Sequence, residues 1–507
     1  MKNIIKVALL LLMAVGAVSC NLNKYPSYAV LADEGFLTYD DATKFRNGMY
    51  YYARQCFSGY SILPINLQAE GVNPTLDYGN MYGYYYSWNF RDSEGEVAQL
   101  WTYCYGAIGQ INYFIENATR ILAENDEIVA AGETGLTETE IADLNLFIGE
   151  AYCLRAMINH QLAINYCKDY DPATASQDWG IIITEKFDFE KTLGREKMDK
   201  TYEKIMEDIG NAETAIQTAL GETHRENYVD IWTVRALKAK VLLEMHEYTD
   251  AANLAVTLVN KFPLISDQSS FKTLWQNDQG SEVIFQFYAS NQEGRTQMGE
   301  IFLHDPNNNG AVLNPYYLPT QWILDQYVNT DIRFKTYFER RNIRIGSTAY
   351  NLYVVSKYPG NPAYNTQTGI NEHYQSVRPF RSGDFALIAA EGFAMGGDEG
   401  QANTWLKNLR AARIPDYTHT DLSGEELMDA IKMERLKELY MEGNRIADLK
   451  RWGEPMSRLG HTPQDPEAVI SESVDLVIEP TDYRFVWPIP QSEYMQNHNL
   501  DGQLNWK

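Results

Sequence analysis

The spacing of apolar residues predicts a mostly α protein, in which helical hairpins form a scaffold and an irregular lobe carries a few short strands. Three observations carry this expectation. Apolar residues recur at three- and four-residue intervals through most of the 507-residue chain, as helices with one buried face require. Small residues repeat at fixed offsets in two helix pairs. Between about 280 and 360 the helical pattern lapses into short β-rich runs separated by Pro and Asn.

In chain order, the first segment reads as targeting. Lys2 and Lys6 precede the uncharged apolar run 7–18 (VALLLLMAVGAV), and Ala17-Val18-Ser19-Cys20 closes it as a bacterial lipoprotein processing site does. The run is shorter than the about 20 residues that span a bilayer. Residues 1–19 are therefore expected to leave as a signal peptide, with Cys20 the lipidated N-terminus of a single domain, 20–507. The irregular lobe is expected at about 58–95 and 280–380. Helices are predicted at 96–123, 139–167, 201–219, 229–246, 249–261, 383–395, 399–413 and 423–447. SEVIFQFY (281–288) and AYNLYVVSKY (349–358) read as strands. Ala239, Ala251 and Pro263 stand twelve residues apart, and Ala390, Ala402 and Pro415 nearly so. These are the offsets of the tight crossing and terminal proline of a tetratricopeptide repeat.

The chain carries 68 acids against 43 Lys and Arg, a net charge of −25, and −27 once Lys2 and Lys6 depart with the leader. So acidic a surface repels nucleic acid and anionic headgroups, which leaves the acyl group as the membrane contact. Cys153 and Cys167 fall on one predicted helix, about 21 Å apart, too far to bridge. With Cys56 and Cys104 they read as small buried hydrophobes.

The densest aromatic cluster is Tyr78 to Phe90 (YGNMYGYYYSWNF), broken by Gly79 and Gly83. Ring faces can cover sugar C–H faces while hydroxyls and amides take the sugar hydroxyls. Trp88, Tyr85 and Tyr86 are the expected platform, with Tyr84, Asn80 and Asn89 beside them, and Tyr316, Tyr317 and Trp322 form a second candidate wall; the alternative for Tyr78 to Phe90 is a loop packed onto the body by its own rings. DPNNNG matches half of a calcium loop through Asp305, Asn307, Asn309 and Gly310, but the twelfth position is Tyr316 instead of Glu, so no metal is expected. The charged run 434–453 (ERLKELYMEGNRIADLKRWG) reads as structural: Leu436, Leu439, Tyr440 and Ile446 make an apolar stripe, Glu442 and Arg445 can pair, and Arg451 and Trp452 end the helix. There is no His-Glu-x-x-His, Gly-x-Ser-x-Gly, P-loop, Gly-x-Gly-x-x-Gly or Cys-x-x-Cys. Neither a cofactor nor an enzymatic activity is expected.

Six segments, in order, resemble the SusD/RagB family of outer-membrane lipoproteins: LWTYCYGAIGQINYFIENA (100–118), EAYCLRAMINHQLAINY (150–166), WTVRALKAKVLLEMHEYTDAANLA (232–255), VRPFRSGDFALIAAEGFAMGGD (377–398), the 434–453 run and FVWPIPQSEYMQNHNL (485–500). The resemblance implies a nutrient-binding protein of the outer membrane, facing the cell surface, that captures oligosaccharide and passes it to a SusC-like TonB-dependent transporter. It also implies that the loop before the 100–118 helix carries binding residues. The RagB-like branch implies oligopeptide as the alternative ligand. From other classes, an all-helical glycoside hydrolase would need two carboxyls facing across a cleft, and a structural helical-repeat adaptor would bury the Tyr78–Phe90 rings.

Overall fold

The computed structural model describes residues 35–188, 190–292, 297–307, 310–368, 371–470 and 476–506. The expected signal peptide, residues 1–19, and Cys20 lie outside the described residues. Helix α1 (Tyr39–Phe57) opens on Thr38, whose hydroxyl accepts from the Asp41 amide while the Asp41 carboxylate accepts from the Thr38 amide, a reciprocal cap that satisfies two orphan donors. Helix α2 (Gly59–Gln68), strand β1 (Val72–Pro74) and the one-turn helix α3 (Gly83–Tyr86) follow. They lead into the long α4 (Gly95–Ala130), α5 (Glu138–Tyr166) and α6 (Met198–Leu220). Thr137 and Glu140 cap α5 as Thr38 and Asp41 cap α1. Gly149 lets α5 lie close on α6, where an added Cβ would come within 2.8 Å of the Ala215 side chain.

The first predicted repeat is α7 (Ile231–Glu244) with α8 (Tyr248–Lys261). Ala239 and Ala251 are fully buried, and Pro263 follows the end of α8 at the predicted place. Helix α9 (Gln268–Gln276) then leads to the lobe. Its strands are β2 (Val283–Phe287), β3 (Tyr317–Pro319), the hairpin of β4 (Phe338–Ile345) and β5 (Thr348–Val355), and β6 (Val377–Arg381), with a short helix α10 (Gln321–Asp325) after β3. These strands pair antiparallel, β1 with β3, β2 with β6 and β4 with β5. Each sheet has two strands, too few to stand alone in water, so each leans on the helical body.

The second repeat, α11 (Ser382–Met395) and α12 (Glu399–Arg413), packs its first helix against α8. Gly392 sits at that crossing: a Cβ there would collide with the Tyr248 carbonyl and the Ala252 side chain. The predicted helix 423–447 is corrected to two, α13 (Gly424–Glu438) and α14 (Arg445–Trp452). The chain breaks between them through left-handed Met441 and Gly443.

That break seats a buried ionic cluster. Glu438 accepts from Arg381 (2.5 Å), Arg413 (2.8 Å) and Arg333 (3.2 Å), and Glu442 accepts from Arg381 (2.6 Å) and Lys357 (2.6 Å). The expected Glu442–Arg445 pair is not made; Arg445 donates to Glu70 instead. The break turns the two side chains away from each other, because an (i, i+3) pair needs a continuous helix. Arg451 pairs with Glu391, Glu244 and Asp448, and the Trp452 indole donates to Glu391. The 434–453 run is structural, as its apolar stripe predicts. Cys56, Cys104, Cys153 and Cys167 are free thiols and buried.

Candidate functional site

Pairing of β1 with β3 sets Val72 opposite Pro319 and Pro74 opposite Tyr317. It thereby brings the Tyr78–Phe90 segment against the second predicted wall. The Thr75 amide donates to the Tyr316 carbonyl at 2.9 Å, and the Tyr317 hydroxyl donates to the Met81 carbonyl at 2.7 Å. Asp77 fastens the neighbouring turns by accepting from the Asn314 side chain (3.2 Å) and the Gly346 amide (2.6 Å). The two aromatic segments, 78–90 and 316–322, form one structure.

Within it, the expected platform faces inward. Trp88 is 0% exposed; its indole N–H donates to the Gln68 carbonyl at 2.8 Å, and its ring packs on Phe485. Tyr85 stacks on Phe90 beside Trp487, and burial together with the Glu96 carboxylate pushes its phenol far above the ordinary range. Tyr86 lies under the Arg458 guanidinium, 3.8 Å from its ring centre, and its hydroxyl accepts from Asn73. Tyr317 is likewise fully buried. Positive φ at Asn80, Tyr82 and Trp88 folds the segment back on itself, and the single turn of α3 then aims Tyr85 and Tyr86 at the core. These four residues are packing groups, which corrects the expectation that they meet ligand.

The outer side of the same segment is different. Tyr84 is 47% exposed, and Leu76 and Met81 are exposed beside it. Asn80 and Asn89 are exposed; Asn80 accepts from the Tyr78 hydroxyl at 3.2 Å. Tyr78, Tyr82 and Tyr316 are half-buried. Trp322 is half-buried too, with one face covered by His461 at 3.6 Å between ring centres, and Tyr316 leans on His304. The side chains that this segment leaves exposed over the aromatic core include Leu76, Met81 and Tyr84 and the amides of Asn80 and Asn89. The exposure of Leu76 and Met81 was not legible in the sequence, because apolar side chains in a loop carry no signal of direction.

A cavity of about 120 Å³ lies elsewhere, where the α1–α2 junction, α5, α7 and β6 meet, and none of the predicted residues lines it. Around it, His160 Nε2, Trp275 Nε1, Gln375 Oε1 and Arg378 Nε have no hydrogen-bond partner among the described residues. Burial, and then Lys240, push His160 down to about 3, so it is neutral. Among the described residues no cluster of His, Cys, Asp or Glu could hold a metal ion. The Asp305 carboxylate accepts from the Asn307 amide of its own turn, and Asn309 lies outside the described residues. Among the described residues no helix is long and apolar enough to cross a membrane.

Residues 342–506 match the SusD family model. Across the chain, the fold superposes on a SusD superfamily protein from Bacteroides thetaiotaomicron with a TM-score of 0.74, at 22% identity, covering 91% of this chain and 99% of that one. The fold is SusD-like. A SusD-like carbohydrate binding protein from Bacteroides vulgatus aligns at TM-score 0.73 and 19% identity, over 92% and 98% of the two chains. The surface glycan-binding protein A of Bacteroides fluxus aligns at 0.65 and 19%, over 91% and 97%. No curated protein sequence matches the chain. At these identities the SusD-like fold is what is shared, and the helical scaffold with small sheets is the architecture the sequence predicts.

Proposed function

We propose that this protein is a lipid-anchored outer-membrane protein that binds oligosaccharide and passes it to a SusC-like TonB-dependent transporter. The observation that carries the reading is the exposed Leu76–Met81–Tyr84 face with its two amides, held over a buried aromatic core. A stacking surface of this kind covers the C–H side of a sugar ring while the amides take its hydroxyls. The match of residues 342–506 to the SusD family model supports the reading, as does the likeness in fold to a carbohydrate binding protein and a surface glycan-binding protein.

The protein acts by binding alone. A glycosidase acid needs a raised pKa in a cleft. Here Glu438 and Glu442 are buried, yet the neighbouring Arg413 and Arg381 hold Glu438 low, and Arg381 and Lys357 hold Glu442 low. Glu244, which burial pushes up, is paired with Arg451 in the helical scaffold.

The test is retention of the protein by a panel of plant, host and microbial polysaccharides, with peptide pools alongside. The expected result is retention by a polysaccharide that weakens in Tyr84→Ala. Retention by peptides alone moves the ligand to the RagB-like alternative. Product release that tracks the protein through purification would instead make it a hydrolase.

A further inference from the structure

We propose a second saccharide site, built on helix α1 and separate from the Leu76–Tyr84 face. Asn47, Tyr50, Tyr51 and Arg54 lie at i, i+3, i+4 and i+7, so they share one face of the helix. Opposite them stand Asn227 and Tyr228 of the turn before α7, and Phe287 and Tyr288 at the end of β2. Together these eight residues enclose a concavity of about 460 Å³, within the range of small-ligand sites.

Its floor is fixed. Phe287 is buried and stacks on Phe57. Tyr50 meets Tyr228 edge-on at 5.3 Å, and its hydroxyl accepts from the Val229 amide at 2.9 Å. The Arg46 guanidinium lies 4.1 Å from the Tyr228 ring centre while it clamps Glu150 with two hydrogen bonds, 2.6 and 2.7 Å. Arg54 donates to the Tyr288 carbonyl at 3.0 Å, which anchors the backbone where β2 ends.

The walls are open. Tyr288 is 55% exposed and Tyr51 45% exposed. Arg54 lies over Tyr51 at 5.4 Å and Tyr52 meets it edge-on, so the ring is braced but not enclosed. The Asn47 amide is exposed, and Asn227 makes only a long 3.5 Å contact to Glu226.

Two exposed tyrosine faces, Tyr51 and Tyr288, in one concavity with the Asn47 and Asn227 amides suit a neutral pyranose, whose C–H face stacks and whose hydroxyls need both donors and acceptors. Arg46 already serves Glu150 and Arg54 the Tyr288 carbonyl, so the site does not call for an anion. The ligand class rests on the saccharide-binding reading above, but the site shares no residue with the face that carries it.

The experiment is saturation-transfer NMR on the mature chain in a sugar-free detergent, with the methyl pyranosides of glucose, galactose, mannose and xylose as probes. Transfer to at least one probe is expected. In a Tyr84→Ala background, which removes the ring of the first face, transfer should remain and should fall about fivefold or more when Tyr51→Ala/Tyr288→Ala is added, since each lost stack weakens binding. Asn227→Ala should reduce it as well, with no exposed ring removed. Unchanged transfer in the double variant overturns the proposal, and so does the absence of transfer from all four probes. If the pocket receives a protein partner instead, the double variant loses that partner while no pyranoside binds, which equally overturns the saccharide site. Polysaccharide retention that still depends on Tyr84 keeps the first reading standing in each of those cases.

Discussion

Trp88 occupies left-handed backbone, φ +55°, with its indole hydrogen-bonded to Gln68 and its ring on Phe485. A buried indole of this kind is a packing group, and Trp88→Ala should lower stability by about 3 to 5 kcal/mol, read as a drop in Tm. Tyr84, four residues earlier, faces solvent. Tyr84→Ala should leave Tm nearly unchanged and cost about 1 to 3 kcal/mol of glycan binding, read by titration with whichever polysaccharide retains the protein. The reverse pattern, with Trp88→Ala stable but unable to bind, would return the platform to the indole. In the run Tyr84-Tyr85-Tyr86 the same residue type points outward once and inward twice. What decides is the positive φ at Tyr82 and Trp88 and the single turn between them, which local composition does not encode. The aromatic cluster was legible in the sequence; its inner and outer sides were not.

Helix α11 crosses α8 at Gly392, and this contact separates two opposite expectations. In an exposed helix Gly→Ala stabilises by about 1 kcal/mol. At this crossing the new methyl meets the Tyr248 carbonyl and Ala252, so Gly392→Ala should destabilise by about 1 to 3 kcal/mol. Chemical denaturation gives the sign directly, and a more stable variant would mean that the helices part without cost. The crossing belongs to a repeat that small-residue spacing made legible, because buried Ala390 and Ala402 carry little besides that constraint. Other elements were less legible. Helix α1 buries Ala42, Met49, Ala53 and Cys56, a faint stripe of mostly small residues beside the exposed Tyr51 and Tyr52, and α2 contains Pro64. Charge spacing in 434–453 misled as to the pair: arginines that arrive from 333, 381 and 413 claim the acids, and such long-range partners cannot be read from a local pattern.

At the scale of the whole molecule, the net charge of −25 gives the surface no attraction to acidic membranes, so attachment falls to the acyl chains expected on Cys20. Cys20→Ala should move the protein from the detergent phase to the aqueous phase of a detergent partition, or leave it unprocessed; full retention with membranes would point to another anchor. The interior sets the response to acid through two kinds of group. Glu434, Glu438 and Glu442 are held below the ordinary carboxylate range by arginine and lysine neighbours, against the opposing effect of burial. Their contribution is present above the unfolded carboxylate pKa and is lost as pH falls through the depressed folded values. His160 acts earlier. Its pKa drops from 6.5 to about 3 on folding because burial disfavours the charged ring, with Lys240 adding to it. The unfolded chain therefore takes up this proton near pH 6.5 and the folded chain does not, so stability present above pH 6.5 declines as the pH falls toward 3. Between pH 7 and 5 this one site should remove about 2 kcal/mol. Urea denaturation of the wild type and of His160→Gln at both pH values isolates it. The variant, whatever its absolute stability, should lose about 2 kcal/mol less over that interval, and parallel losses in the two proteins would show that His160 is not held neutral beside its cavity.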